Sequence, residues 1–162
     1  MKTIYFAGGC FWGVEKYFSM ARGVIETKVG YANGKLNNPS YEDLKFGRDN
    51  ASETVEIKYD ENIVSLNKLL KLLLRVIDPY SVNKQGEDEG VQYRSGVYFV
   101  NKEDKKLIKD YFTKHLNNDY KVEVLPLQKF FLAEEYHQDY LNKNPNGYCH
   151  INMAKLKPEE RK

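Results

Sequence analysis

Cysteine is almost absent from this chain, with two in 162 residues, Cys10 and Cys149. Two thiols allow a single internal pairing, and no CxxC spacing is present to hold a structural zinc. In a chain of this kind they point to reactive or metal-binding use rather than to a structural framework. An excess of one charge is also lacking. Basic residues number 25 and acidic ones 23, for a net charge of +2, and the two signs are interleaved. That excludes the basic block by which a protein binds nucleic acid or an anionic membrane electrostatically. Long apolar runs are missing too: the longest, near residues 69–74, is interrupted by Lys71 and is far shorter than a bilayer span. Met1-Lys2 leads into a strand-like segment instead of an apolar leader, so no signal peptide is expected and the cytoplasm is the simplest location. No internal repeat or low-complexity segment divides the chain.

What is present is an ordinary globular composition, 41% hydrophobic and 30% charged. That suffices for one domain, residues 1–162, with a core of its own, and a monomer is expected. Thr3 to Ala7 reads as a short buried strand, and Val14, Phe18 and Ala21 recur behind it at helical spacing. Ile25 to Tyr31 alternates like a strand and ends in the turn signal Asn33-Gly34. Ser40 with Asp43 three residues on resembles a capping box for a short helical turn. Glu53 to Tyr59 is the clearest period-2 strand, with Val55, Ile57 and Tyr59 on one side. Ser65 caps an amphipathic helix that runs to Val76 and stops before Asp78-Pro79. A long polar loop from Tyr80 to Tyr93 follows, long enough to suggest a functional loop. Then come a strand over 95–100, a helix over 102–116, a strand over 121–125, and a helix over Ala133 to Leu141 entered from Phe130-Phe131-Leu132. This order specifies an α+β fold: a two-layer sandwich of helices on a mixed, mostly antiparallel sheet, with a ferredoxin-like βαββαβ core. A long coil tail, about 142–162, carries Cys149 and frays over its mixed-charge end from Lys155 to Lys162.

Gly8-Gly9-Cys10-Phe11-Trp12-Gly13 sits at the first strand-to-helix turn. Glycines there permit unusual backbone angles and close approach. Cys10 falls at the first turn of the helix, where free amides and the helix dipole favour a thiolate. Phe11 and Trp12 add apolar surface beside the sulfur, enough to wall a small pocket. Cys149 lies in Gly147-Tyr148-Cys149-His150, on a segment read as mobile and exposed, which suits a thiol that travels to a fixed partner. Glu53 opens a strand expected beside the first, and Tyr41, Asp88 and Tyr93 lie in neighbouring loops. Carboxylates and tyrosines that converge on one pocket can hold an oxygen and raise a carboxyl pKa by desolvation.

Six motifs occur in order along some 130 positions. They are the glycine-cysteine-aromatic turn, Gly30-Tyr31-Ala32-Asn33-Gly34, Asn37-Asn38-Pro39-Ser40-Tyr41, Gln85-Gly86 with Asp88 and Gly90, Gln92-Tyr93-Arg94-Ser95, and Ala133-Glu134-Glu135-Tyr136-His137-Gln138. In them the chain resembles the peptide methionine sulfoxide reductases of the A type. The resemblance implies reduction of methionine S-sulfoxide, free or in proteins, as repair of oxidative damage. It implies Cys10 as nucleophile, Phe11 and Trp12 as the pocket for the substrate methyl, and Glu53 as the acid that protonates the sulfoxide oxygen. Tyr41, Asp88 and Tyr93 would orient that oxygen or its water. Cys149 would be the resolving cysteine, with thioredoxin or a similar dithiol reducing the Cys10–Cys149 disulfide, and no cofactor or metal is implied. Two departures stand out: Ser52 replaces the family's common His before the acid, and the frequent second recycling cysteine is absent.

Three other readings share some of these residues. A cysteine hydrolase or acyltransferase would pair Cys10 with His115, His137 or His150 and leave Cys149 idle. A metal module would use both cysteines with histidines, and a binding scaffold would leave the motif series without a purpose. His137 itself reads better as a packing or hydrogen-bonding residue near the pocket than as a proton-transfer group.

Overall fold

The period-2 segments become strands because alternate residues have an apolar core to face. A computed structural model describes all 162 residues. In chain order the elements are β1 (Lys2–Ala7), α1 (Phe11–Ser19), β2 (Val24–Ala32), α2 (Tyr41–Lys45), β3 (Ser52–Tyr59) and α3 (Leu66–Leu74). There follow β4 (Lys84–Gln85), β5 (Asp88–Glu89), β6 (Gly96–Phe99), α4 (Lys102–His115), β7 (Glu123–Pro126), β8 (Phe130–Leu132) and α5 (Tyr140–Lys143). Six strands form one sheet in the order β7-β6-β1-β3-β2-β8. Every neighbouring pair is antiparallel except β6 with β7.

One face of the sheet carries Ile4, Phe6, Val29, Val55, Ile57 and Val97 into a core shared with Phe18 of α1, Leu69 and Leu73 of α3, and Ile108 and Phe112 of α4. The other face holds a small cluster of Tyr5, Ala7, Ala32 and Tyr98, covered by Leu127 and Phe130. Helix ends follow their caps. Ser40 and Asp43 form the reciprocal capping box of α2, and Ser65 accepts from the Lys68 amide at the start of α3.

Two expectations are corrected. Phe130–Leu132 does not lead into a helix; it pairs with Gly30–Ala32 as an edge strand, and residues 133–139 contain only a 3-10 turn, Glu135–His137. Asn33 explains this, because its Oδ1 accepts from the Gln128 and Lys129 amides and holds the strand in place. The C-terminal segment is largely irregular, with two 3-10 turns, but its end is docked rather than frayed. Ile151 and Leu156 are buried, each a stabilisation of roughly 1.5–3 kcal/mol. Glu160 binds Arg75 through two hydrogen bonds of 2.5 and 3.0 Å and also pairs with Lys68, while the Arg22 amide donates to its carbonyl.

Candidate active site

β1 delivers the chain to Gly8 and Gly9, where a tight turn lets α1 begin against the sheet end. Gly9 has a φ of +88°, and a Cβ there would lie 2.7 Å from the Cβ of Gln85, so both conformation and space require glycine. Cys10 is the N-cap residue of α1 and is 8% exposed. Burial pushes its thiol pKa up, the charge of Glu53 adds to this, and the Trp12 amide opposes it. The resting sulfur is therefore a neutral thiol. The thiolate expected from the helix start is overturned, because desolvation outweighs the one favourable amide.

Glu53, at the second residue of β3, is 2% exposed. Its Oε1 accepts from the Phe11 amide and its Oε2 from Gln92 Nε2, each at 3.2 Å. Burial raises its pKa to about 8, and Asp88 adds to the rise while the two hydrogen bonds oppose it. At neutral pH this carboxyl carries a proton. The side chain of Ser52, one residue earlier, points to the opposite face, where its hydroxyl meets Thr54 Oγ1 at 2.9 Å and the Tyr98 hydroxyl at 3.0 Å. The residue before the acid thus belongs to a different polar network.

The long loop arrives at Glu53 as a β4–β5 hairpin and a 3-10 turn, Val91–Tyr93. Buried Gln85 pins it by bonding the Asp78 amide and carbonyl at 2.8 Å and Ser95 Oγ at 3.0 Å. This brings Tyr93 and Asp88 to the same place as Tyr41. Burial raises the pKa of both phenols, Glu53 adds to this, and each phenol also responds to Asp88 and Cys10. They stand as neutral O–H donors. Asp88 Oδ2 is buried without a partner, which leaves an acceptor free beside the thiol and the acid.

The aromatic pair divides. Phe11 is 1% exposed, packed between Tyr31 at 5.8 Å and His137 at 5.2 Å, and Trp12 is the partly exposed member. Trp12 stacks on Tyr140 at 3.7 Å and donates its indole N–H to His137 Nδ1 at 3.0 Å. His137 is neutral, its pKa lowered by burial. His115 packs on Tyr111 of α4.

Cys149 is half-buried, and its Sγ–H donates to the Ile151 carbonyl at 3.3 Å. A Cβ on Gly13 would lie 3.1 Å from that sulfur, so Cys149 rests on the first turn of α1, which begins beside Cys10. Both thiols are free. The structure thus brings Cys10, Glu53, Tyr41, Asp88, Tyr93, Trp12 and Cys149 to one end of the sheet. Sequence reasoning assigned no part to Gln92, the side-chain donor to Glu53. Its signal was its place at the head of the Gln92-Tyr93-Arg94-Ser95 motif. No group of three or more His, Cys, Asp or Glu side chains is arranged to hold a metal ion.

A family model described as peptide methionine sulfoxide reductase matches residues 2–162. A peptide methionine sulfoxide reductase MsrA of Lachnoclostridium phytofermentans is 54% identical over 156 residues, covering 94% of each chain. Among solved structures, methionine sulfoxide reductase A of Corynebacterium diphtheriae superposes with a TM-score of 0.86 at 35% identity, covering 91% of this chain and 77% of the other. Mxr1 of Saccharomyces cerevisiae in reduced form gives 0.82 at 34% identity, covering 92% and 88%.

Proposed function

The chain belongs to the peptide methionine sulfoxide reductases, and from that premise we propose that it reduces methionine S-sulfoxide, free or in proteins, by a thiol–disulfide cycle. The observation that carries the chemistry is a neutral carboxyl, Glu53, buried beside a neutral thiol, Cys10. A sulfoxide oxygen is a poor leaving group until protonated. Glu53 gives it a proton while the phenols of Tyr41 and Tyr93 donate hydrogen bonds to the same oxygen. The sulfur then becomes electrophilic enough for attack by Cys10, whose own proton returns to the Glu53 carboxylate. The attack joins the two sulfurs. The hydroxyl then passes from the substrate sulfur to Cys10 as the substrate S–O bond and the new S–S bond break, which leaves Cys10 as a sulfenic acid and methionine with its thioether restored. No proton is gained or lost overall. Trp12, with Phe11 behind it, supplies the apolar surface for the methyl group, and Asp88 orients the oxygen or the water it becomes.

Cys149 then attacks the sulfenic sulfur, water leaves, and a thioredoxin-like dithiol reopens the Cys10–Cys149 disulfide by exchange. The whole chain works as one catalytic domain, a cytoplasmic monomer with no need of cofactor, metal, nucleic acid or membrane. No helix in it is long and apolar enough to cross a membrane. The antiparallel order β6-β1-β3-β2, with α1 and α3 as crossovers, supports reading its centre as a ferredoxin-like βαββαβ unit.

The hydrolase reading needs a histidine on the Cys10 sulfur. Against it, His137 takes the Trp12 indole N–H and His150 bonds the Gly8 carbonyl. The test supplies each epimer of methionine sulfoxide with a dithiol. Turnover of the S form alone is expected, and equal turnover of the R form would sink the assignment.

A further inference from the structure

The residue after Cys149 has a seat of its own, one the chemistry so far does not use. His150 Nε2 lies 2.8 Å from the Gly8 carbonyl oxygen. A carbonyl only accepts, so Nε2 carries the hydrogen and the neutral ring keeps a lone pair on Nδ1. That Nδ1 is buried and has no partner. Three glycines make room for the imidazole. A Cβ at Gly9 would lie 2.9 Å from its Nε2, one at Gly13 3.3 Å from its Nδ1, and one at Gly86 3.1 Å from its Cβ. The three come from the nucleophile turn, from α1 and from the β4–β5 hairpin, so the socket exists only where these elements meet.

The adjoining thiol is held differently. Cys149 lines a cavity of about 270 Å³ with Lys16, Leu141, Pro145 and Met153, so its side chain has open space beside it. Its sulfur and His150 Nδ1 both fall within 3.3 Å of the Cβ that Gly13 lacks. Whatever seats the imidazole also sets the sulfur against the first turn of α1.

We propose that His150 is a positioning residue for the second half of the cycle: seated on Gly9, Gly13 and Gly86 and bonded to the Gly8 carbonyl, it holds Cys149 docked beside Cys10 before oxidation. The inference rests on the sulfoxide reductase reading and on Cys149 as the resolving thiol. The step it serves is balanced. The Cys149 sulfur bonds to the Cys10 sulfur, the S–O bond of the sulfenic acid breaks, and its hydroxyl leaves with the Cys149 proton as water. Cys149 is oxidised and the sulfenic sulfur of Cys10 is reduced. Docking raises the local concentration of the attacking thiol without touching the methionine-forming step.

The test is a single turnover of the full-length protein with methionine S-sulfoxide, in which released methionine, dimedone-trapped sulfenic acid and remaining thiols are followed separately. In His150→Ala, methionine should appear at the wild-type rate while disulfide formation slows by about five- to tenfold, the scale of one hydrogen bond, and trapped sulfenic acid rises. His150→Gln, which can return an N–H to the Gly8 carbonyl, should restore most of the rate; failure to restore it would assign the histidine some other role and overturn the latch. Gly13→Ala favours the helix, so it should fold, and its new methyl should slow the same step by crowding Cys149 and His150. Wild-type disulfide rates in both His150→Ala and Gly13→Ala would overturn the proposal, as would slowed methionine release in either. If the wild-type protein itself releases no methionine, the enzymatic reading fails, and that outcome is distinct from failure of the latch.

Discussion

Cys10 and Cys149 are built into the molecule by opposite means. Cys10 follows a strand bonded on both sides, by β3 and β6, and caps a helix packed in the core. Cys149 sits on a segment whose main-chain hydrogen bonds stay local, from Gly147–Asn144 to Leu156–Met153. That segment is fastened by side chains instead: His150 to Gly8, Arg75 to the Lys155 carbonyl, and Ile151 and Leu156 in the core. A ladder of backbone bonds fixes the turn that carries Cys10. A few side-chain contacts, and no backbone ladder, hold the second thiol near it.

The sharpest break in the comparison is Cys10→Ser, which should form no methionine with any dithiol, measured by chromatography of the product. Cys149→Ser should release one equivalent of methionine with thioredoxin as reductant and then stall. Sustained cycling would show that the tail thiol is dispensable. Glu53→Gln should slow methionine release by about 10²–10⁴-fold in rapid-quench experiments and leave both thiols reactive toward a disulfide reagent. In the wild type the proton-donating form of Glu53 is lost above about pH 8, so the methionine-forming rate should fall there, a loss absent in Glu53→Gln. Stability carries the same signature. A folded pKa raised from 4.5 to about 8 gives stability that is fully present below pH 4.5 and is lost as pH rises through 8. The melting temperature of Glu53→Gln relative to wild type should therefore climb across that window.

The smallest effect belongs to the far end of the tail. Glu160 has its pKa lowered to about 2, first by its hydrogen bonds to Arg75. Its contribution is present above pH 4.5 and is lost as pH falls through 2. Glu160→Gln should cost about 1–3 kcal/mol in urea unfolding and speed proteolysis near the C-terminus, with methionine release unchanged. If proteolysis does not change, the Glu160 carboxylate is not what holds the tail, and its other contacts suffice.

Much of the fold was legible where local physics decides. Alternation in β3, the Ser40 and Ser65 caps and the glycine turn before Cys10 all appear where residue pattern places them. β8 was not legible: three apolar residues have no period to read, and what makes them a strand is Asn33, some 95 positions away, together with the free edge of β2. The candidate site divided likewise. Cys10, Glu53, Cys149, the tyrosines and Asp88 stood out by type and motif, whereas Gln92 and the seat of His150 did not.

Sequence alone determined the local elements, the presence of one thiol at a helix start and another far down the chain, and the family to which the motifs belong. Periodicity, capping and turn chemistry act over a few residues, so they can be read without a structure. Only the tertiary structure decided that Cys10 rests as a thiol, that Glu53 keeps its proton, and that Cys149 is docked rather than loose. Each of these depends on which distant residues exclude water or fill a gap. Gln92 meets Glu53 across 39 positions and His150 meets Gly8 across 142, and no local rule encodes either meeting.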